Sequence, residues 1–136
     1  MKRKIRVPFL IVNPKAYIYG QESLELAKVC DALAKQYEVP FSARGMDLTW
    51  VQETDLRMIA AATQYVIVTA QHMDGIVPGR GMGHILPESI KDAGAQAVVL
   101  NHAEHPLTVN QLAKAIQRAN ELELDTIVCC DTPEEA

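Results

Sequence analysis

Residues 97–104 read AVVLNHAE: four apolar side chains of the kind that form buried strands are followed at once by polar and ionisable ones. The same change occurs near the start of the chain, where residues 7–17 read VPFLIVNPKAY. In α/β folds, the carboxyl ends of buried parallel strands carry the chemistry. We therefore expect four side chains to converge on one face of a parallel sheet: Asn13, Lys15, His102 and Glu104.

Strand and helix patterns alternate along the chain. Apolar spacing predicts strands at residues 5–12, 39–43, 65–70, 97–100 and 126–130, and helices at residues 22–36, 50–62, 86–93 and 109–121. Buried strands that are joined by helical crossovers form a parallel sheet. This order leaves two architectures open: an open doubly wound sheet, or part of a closed (β/α)8 barrel.

Several local signals set the expected ends of these helices. Gly94 is predicted to end the helix 86–93, and Thr108 is predicted to cap the helix 109–121. The last six residues, 131–136 (DTPEEA), resemble the start of a fifth helix, with a cap, Pro133 in the first turn and acidic residues near the helix dipole. In the helix 50–62, the side chains expected to face inward are Val51, Leu56, Ile59 and Ala60.

Length and composition indicate a soluble protein of one domain. The chain has 136 residues, of which 49% are apolar and 22% charged, and its net charge is −4. It has no clustered basic patch beyond residues 1–4, so nucleic acid is not an expected partner, and no segment reaches the length of a membrane span. The odd cysteine count fits a reducing, cytoplasmic compartment, with Cys30, Cys129 and Cys130 as small core residues.

Three other kinds of site are weakly supported by the residue spacing. His102-Ala103-Glu104 matches half of a zinc deaminase motif, but the required Pro-Cys-x-x-Cys is missing. His102 and His105 have metal-ligand spacing without a recognisable third ligand. The glycines at 79, 81 and 83 are not a dinucleotide-binding fingerprint, and they favour a flexible interface loop. His72 and His84 are predicted to be structural.

Taken together, the motifs resemble those of triosephosphate isomerase, particularly its archaeal branch. Residues 12–17 (VNPKAY) are similar to its strand-1 motif, and residues 100–104 (LNHAE) match its strand-4 motif. Residues 55–60, 70–74 and 83–88 resemble its second helix, its third-strand exit and the end of its long loop. The resemblance covers essentially the whole chain in order and spacing, and it implies that residues 1–136 form the N-terminal part of a single TIM-barrel domain.

This resemblance implies roles for the four site residues. In aldose–ketose isomerisation through an enediolate, Lys15 would oppose the substrate phosphate and the developing oxyanion, and His102 would donate a hydrogen bond to the carbonyl oxygens. Asn13 would bind near the same oxygen, and Glu104 would pair with Lys15. The implied substrate is glyceraldehyde 3-phosphate or dihydroxyacetone phosphate. No cofactor or metal is expected, and the protein is expected to form homo-oligomers through the loop 71–85.

The chain departs from the family pattern at informative places. Pro14, Ala103, His105 and Pro106 differ from the usual residues, and Met82 stands where a threonine normally reaches into the neighbouring subunit. These changes leave open a paralogue that isomerises another small sugar phosphate. The family's catalytic glutamate follows strand 6 and its phosphate loops follow strands 6 to 8, so we expect residues 1–136 alone to be inactive. A non-catalytic half-barrel that serves as an assembly unit is the remaining alternative.

Overall fold

The computed structural model describes residues 9–37 and 45–136 of the chain. Five strands alternate with four helices and a short 3-10 helix follows: β1 Phe9–Val12, α1 Gly20–Tyr37, β2 Gly45–Val51, α2 Leu56–Ala62, β3 Ile67–Ala70, α3 Pro87–Asp92, β4 Ala97–Leu100, α4 Val109–Glu121, β5 Asp125–Val128 and the 3-10 helix Pro133–Glu135. None of the helices in the described part of the chain is both long and apolar enough to cross a bilayer.

The sheet has the strand order β1-β2-β3-β4-β5, and every neighbouring pair is parallel. Each crossover therefore moves the chain one strand further in the same direction. A doubly wound sheet reverses its strand order at a switch point, whereas a (β/α)8 barrel adds strands sequentially. The order excludes a doubly wound sheet for these strands and agrees with part of a barrel.

All four helices pack on one face of the sheet, which is the arrangement of a barrel wall. Residues from each helix share a core with alternate strand residues, among them Cys30, Leu56, Ile90, Ala115 and, from the strands, Val68 and Leu100. The other face carries a smaller apolar cluster built on Ile67, Ala97 and Val99. Because strand side chains alternate between faces, β3 and β4 are buried on both sides.

The carboxylate of Asp31 links α1 to the start of β3. Asp31 Oδ1, on α1, accepts the backbone N–H groups of Gln64, Tyr65 and Val66 at 2.9, 2.6 and 3.0 Å. Three backbone donors just before β3 are thereby satisfied by a single side chain, which sets the point at which β3 begins.

Most predicted elements are confirmed. The strand Ala97–Leu100 and the helix 109–121 have the predicted bounds. Thr108 caps α4 in a capping box with Gln111. Gly94, with φ of +104°, follows α3 as predicted, and a Cβ atom there would lie 2.6 Å from Ala60 Cβ.

The prediction around the second strand is partly wrong. The predicted strand at 39–43 lies outside the described residues, and β2 runs to Val51, where a helix was expected from residue 50. Val51 is buried as the last residue of β2, and α2 begins only at Leu56. The apolar spacing from 51 to 56 is too long for one helical face, since neighbours on a helix are three or four residues apart.

The end of the chain differs from its prediction in two ways. Residues 133–135 form a short 3-10 helix with Thr132 at its N-cap, where the start of a fifth helix was expected. Cys30 is buried as predicted, but Cys129 is only partly buried and Cys130 is exposed. The physical reason is that β5 ends at Val128, so Cys130 lies beyond the paired strand.

Candidate active site

A cavity of about 300 Å³ lies at the carboxyl ends of the strands. Its lining includes all four predicted site residues: Asn13, Lys15, His102 and Glu104. It also includes residues to which the sequence assigned no catalytic role: Ala16, Glu53, Gln71, His72, Val99 and His105. The structure brings the four predicted residues together, and their chemical roles stay predictions.

Lys15 is held in an unusual backbone conformation by two side chains. Its φ is +52°, in the left-handed region that non-glycine residues rarely occupy. Asn13 Oδ1 accepts the Lys15 N–H at 2.9 Å, and Gln71 Nε2 donates to the Lys15 carbonyl at 2.7 Å. Strained residues of this kind persist only where their surroundings hold them, and they concentrate at functional sites.

The ammonium group of Lys15 forms an ion pair with Glu104 across the cavity. Lys15 Nζ donates to Glu104 Oε1 at 2.9 Å, and the two side chains are 40% and 60% exposed. The hydrogen bond and charge of Glu104 raise the pKa of Lys15 above its usual value. The same hydrogen bond lowers the pKa of Glu104. Lys15 is therefore a cation at neutral pH, and Glu104 is its ionised partner rather than a proton donor.

His102 is held as a neutral donor by the backbone of its own turn. The Glu104 N–H donates to His102 Nδ1 at 3.1 Å, whereas Glu104 Oε2 lies 3.9 Å from that nitrogen, beyond hydrogen-bond range. A ring nitrogen that accepts an N–H carries no proton, so the proton of the neutral ring is on Nε2. His102 thus brings an N–H donor, without a formal charge, to the lining of the cavity.

Asn101 positions this turn, although the sequence-based interpretation assigned it no role. Its φ is +60°, its Nδ2 donates to the Cys129 carbonyl at 2.9 Å, and its Oδ1 accepts the Leu107 N–H at 2.8 Å. Its position directly after a buried strand could have indicated this turn, because asparagine tolerates the left-handed conformation better than most residues. Asn101 therefore anchors residues 102–107 to the end of β5.

Gln71, Glu53 and His72 were also missed as cavity residues. Glu53 was placed inside a predicted helix, and it lies instead in the turn after β2. His72 is buried, as expected for a structural histidine, but its ring also lines the cavity. Only the positions of Gln71 and His72 directly after β3 could have indicated this placement.

Asp74 closes the long loop that follows β3. Its N–H donates to the Ile85 carbonyl at 2.9 Å, and its Oδ2 accepts the Ile85 N–H at 2.7 Å. His72 Nε2 lies 3.1 Å from Asp74 Oδ1, and the exposed His84 contacts the other oxygen at 3.4 Å. Burial alone would raise the pKa of Asp74, but the Ile85 N–H and His72 outweigh it, and the pKa is lowered.

The two histidines with metal-ligand spacing have other contacts. The His105 ring stacks on His72, and His102 Nδ1 accepts the Glu104 N–H. Within residues 9–37 and 45–136, no three histidine, cysteine or acidic side chains are arranged to hold a metal ion.

Replacing Glu104 by glutamine is expected to lower the pKa of Lys15 toward 10.5, because the charged acceptor is lost. An NMR titration of the Lys15 side chain measures this shift. Glu25→Gln, which changes the partner of Lys28, is the matched control and should leave Lys15 unaffected. An unchanged Lys15 pKa in Glu104→Gln would contradict the assigned pairing.

The Lys15–Glu104 ion pair makes the stability of the fold depend on pH, and the direction of this dependence follows from the pKa shifts of the two residues. The raised pKa of Lys15 means that the pair contributes to stability below pH 10.5 and that this contribution is lost as pH rises through the pKa of the folded state. The lowered pKa of Glu104 means that the contribution is present above pH 4.5 and is lost as pH falls through the pKa of the folded state.

Comparison with known proteins gives a consistent result. The family model for triosephosphate isomerase matches residues 8–136. The triosephosphate isomerase of Caldivirga maquilingensis is 37% identical over 131 residues, which are 95% of this chain and 55% of that protein. That of Sulfurisphaera tokodaii is 33% identical over 132 residues, which are 96% of this chain and 55% of that protein. The crystal structure of the Bartonella henselae enzyme superposes with a TM-score of 0.73 at 26% identity, covering 96% of this chain and 54% of that one. The chain thus spans about half the length of these relatives.

Proposed function

The chain belongs to the triosephosphate isomerase family, and on that premise we propose that this protein interconverts glyceraldehyde 3-phosphate and dihydroxyacetone phosphate through an enediolate. The observation that carries the proposal is that one cavity is lined both by a charged Lys15 and by a neutral His102 that offers an N–H donor. This reaction is a step of glycolysis and gluconeogenesis, and we accordingly propose that the protein is cytoplasmic.

The proposed chemistry is electrostatic. Lys15 opposes the substrate phosphate and the negative charge that develops on the enediolate oxygen, and the hydrogen bonds that Asn13 and Gln71 form with its backbone hold it in place before substrate arrives. Groups that are already oriented need no reorganisation when charge develops, which makes them effective in catalysis. Asn13 lies beside Lys15 and is proposed to bind near the same oxygen.

His102 is proposed to donate its Nε2–H to the carbonyl oxygens. Triosephosphate isomerase is itself the standard case of a neutral histidine acting as an electrophile. In this chain the Glu104 N–H selects that tautomer by occupying Nδ1. Glu104 is therefore proposed to support the site twice, through its side chain on Lys15 and through its backbone on His102.

The proton-abstracting base is assigned to the part of the family fold that follows β5. Of the carboxylates that line the cavity, Glu104 is engaged by Lys15, and Glu53 lies directly after β2. The family pattern places the catalytic glutamate after a sixth strand. Residues 1–136 are thus proposed to supply the electrostatic groups, and a base within hydrogen-bond reach of the substrate carbon completes the mechanism.

A coupled assay tests the function. Residues 1–136, supplied with the part of the family fold that follows β5, are given dihydroxyacetone phosphate, and formation of glyceraldehyde 3-phosphate is followed with an NAD-dependent dehydrogenase. Formation of glyceraldehyde 3-phosphate supports the proposal. Turnover only with another phosphorylated aldose or ketose would instead show the paralogue to which Ala103, His105 and Met82 point. Absence of turnover with any small sugar phosphate would favour a non-catalytic assembly unit.

We further propose that the protein forms homo-oligomers through the loop 71–85. Met82 is fully exposed at 102%, and Val77 is 59% exposed. Gly81 and Gly83 have φ of +157° and +83°, so the loop around Met82 uses backbone conformations that suit glycine. An exposed methionine offers an adaptable apolar contact, and the family's dimers use this loop.

Met82→Asp is expected to shift the protein toward monomer, because a charge would have to be buried at the interface. Sedimentation velocity at micromolar concentration measures the change. Val109→Asp is the matched control, since Val109 is an 83% exposed apolar residue on α4. An oligomer that survives Met82→Asp, or one that Val109→Asp disrupts equally, would place the interface elsewhere.

A further inference from the structure

The turn that carries His102 and Glu104 is exposed on its outer side. Residues 103–106 are all exposed, and the turn is closed by a hydrogen bond from the His105 N–H to the His102 carbonyl at 2.7 Å. Asn101 anchors the start of the turn. A second fixed point near residue 105 would restrict the whole turn, because only three peptide units separate it from His102.

His105 supplies a contact of that kind. Its ring stacks on His72 with 3.6 Å between the ring centroids and an angle of 18° between the planes. His72 itself is fixed, because its side chain is only 6% exposed and its Nε2 lies 3.1 Å from Asp74 Oδ1. The stack therefore joins an exposed turn after β4 to a buried residue after β3.

The contact continues into the long loop. Asp74 binds Ile85 through both its backbone and its carboxylate, and these two hydrogen bonds hold the ends of the loop 74–85 together. A chain of direct contacts thus runs from the closed loop through Asp74, His72 and His105 to the turn that orients His102. Nothing in the proposed isomerisation requires His72 or His105 to touch the substrate.

We propose that His105 and His72 are positioning residues that act through His102. The stack holds the turn in the geometry in which the Glu104 N–H reaches His102 Nδ1, and it thereby keeps the His102 proton on Nε2. The catalytic meaning of this tautomer rests on the proposed isomerase function, but the tautomer itself is measured without any assay of activity.

The test uses the chain's four histidines, His72, His84, His102 and His105, in a long-range proton–nitrogen NMR experiment. The two ring-nitrogen shifts of His102 report which nitrogen carries the proton. In the unmodified protein we expect one fixed tautomer with the proton on Nε2. In His105→Ala we expect both shifts to move toward the values of a ring that exchanges between tautomers. In His105→Phe, which keeps a ring to stack on His72, we expect the original shifts to return.

His84→Ala is the matched control, because His84 contacts Asp74 but does not belong to the stack. It should leave the His102 nitrogens unchanged. Unchanged His102 shifts in His105→Ala would overturn the proposal. If His105→Ala does not fold, the phenylalanine variant still decides, since averaged His102 shifts there would show that stacking is not what holds the turn.

Kinetics distinguish this proposal from the proposed function. If the protein is an isomerase, His105→Ala should lower kcat more than it raises KM, and His105→Phe should restore kcat. If the intact enzyme, with the part of the family fold that follows β5, lacks isomerase activity while the NMR shifts respond as expected, the positioning role stands and the function fails. If activity is present but His105→Ala changes neither kcat nor the shifts, the function stands and the positioning role fails.

Discussion

In the intact enzyme, which includes the part of the family fold that follows β5, Lys15→Ala is expected to lower kcat by about 10²- to 10³-fold, the size of effect found when one preorganised donor to an oxyanion is removed. The physical reason is that Lys15 brings a fixed positive charge to the cavity, held by Asn13, Gln71 and Glu104. The measurement is steady-state kinetics with either triose phosphate. KM is also expected to rise, because the same charge is proposed to bind the phosphate.

The matched control is Lys28→Ala. Lys28 also forms an exposed ion pair with a glutamate, Glu25, but it lies on α1 and does not line the cavity. Its removal should leave kcat and KM unchanged. Stability is expected to change little in either variant, because solvent screens exposed pairs of this kind. Near-original turnover in Lys15→Ala would remove Lys15 from the mechanism.

His102→Gln is expected to lower kcat by about 10²- to 10⁴-fold, the usual contribution of a positioned proton donor or acceptor. Glutamine lacks the imidazole ring that the Glu104 N–H orients, so the proposed donation from Nε2–H to the carbonyl oxygens is lost, and the loss should fall mainly on kcat. Steady-state kinetics measures it, and circular dichroism checks that the fold is retained. An unchanged kcat with a raised KM would limit His102 to substrate binding.

Much of the fold could be predicted from local patterns. Ala97–Leu100 and α4 were predicted at their observed bounds, because a short β-branched run and the capping box that starts at Thr108 are signals contained within a few residues. The same reasoning failed at β2, where Val51 was assigned to a helix. Its burial is real, but it results from pairing with Ala70 on β3, a partner that is remote in sequence.

The residues of the candidate site also fall into a group that the sequence could predict and a group that it could not. Asn13, Lys15, His102 and Glu104 could be selected from the sequence because each follows a predicted strand. Gln71, Asn101 and His105 could not be given roles, since their functions consist of contacts with particular distant atoms. Gln71 donates to a carbonyl 56 positions away, and Asn101 to one 28 positions away.

The sequence by itself determined the alternation of strands and helices, the parallel sheet and the strand ends at which the chemistry lies, because periodicity, capping and polarity act over neighbouring residues. Only the tertiary structure decided that the helices share one face, that Lys15 meets a glutamate 89 positions away, and that His105 stacks on His72. These features depend on the register of parallel strands and on the backbone conformations of Lys15 and Asn101, both with positive φ. Such conformations are unfavourable locally, and they are maintained only by the contacts of the folded chain.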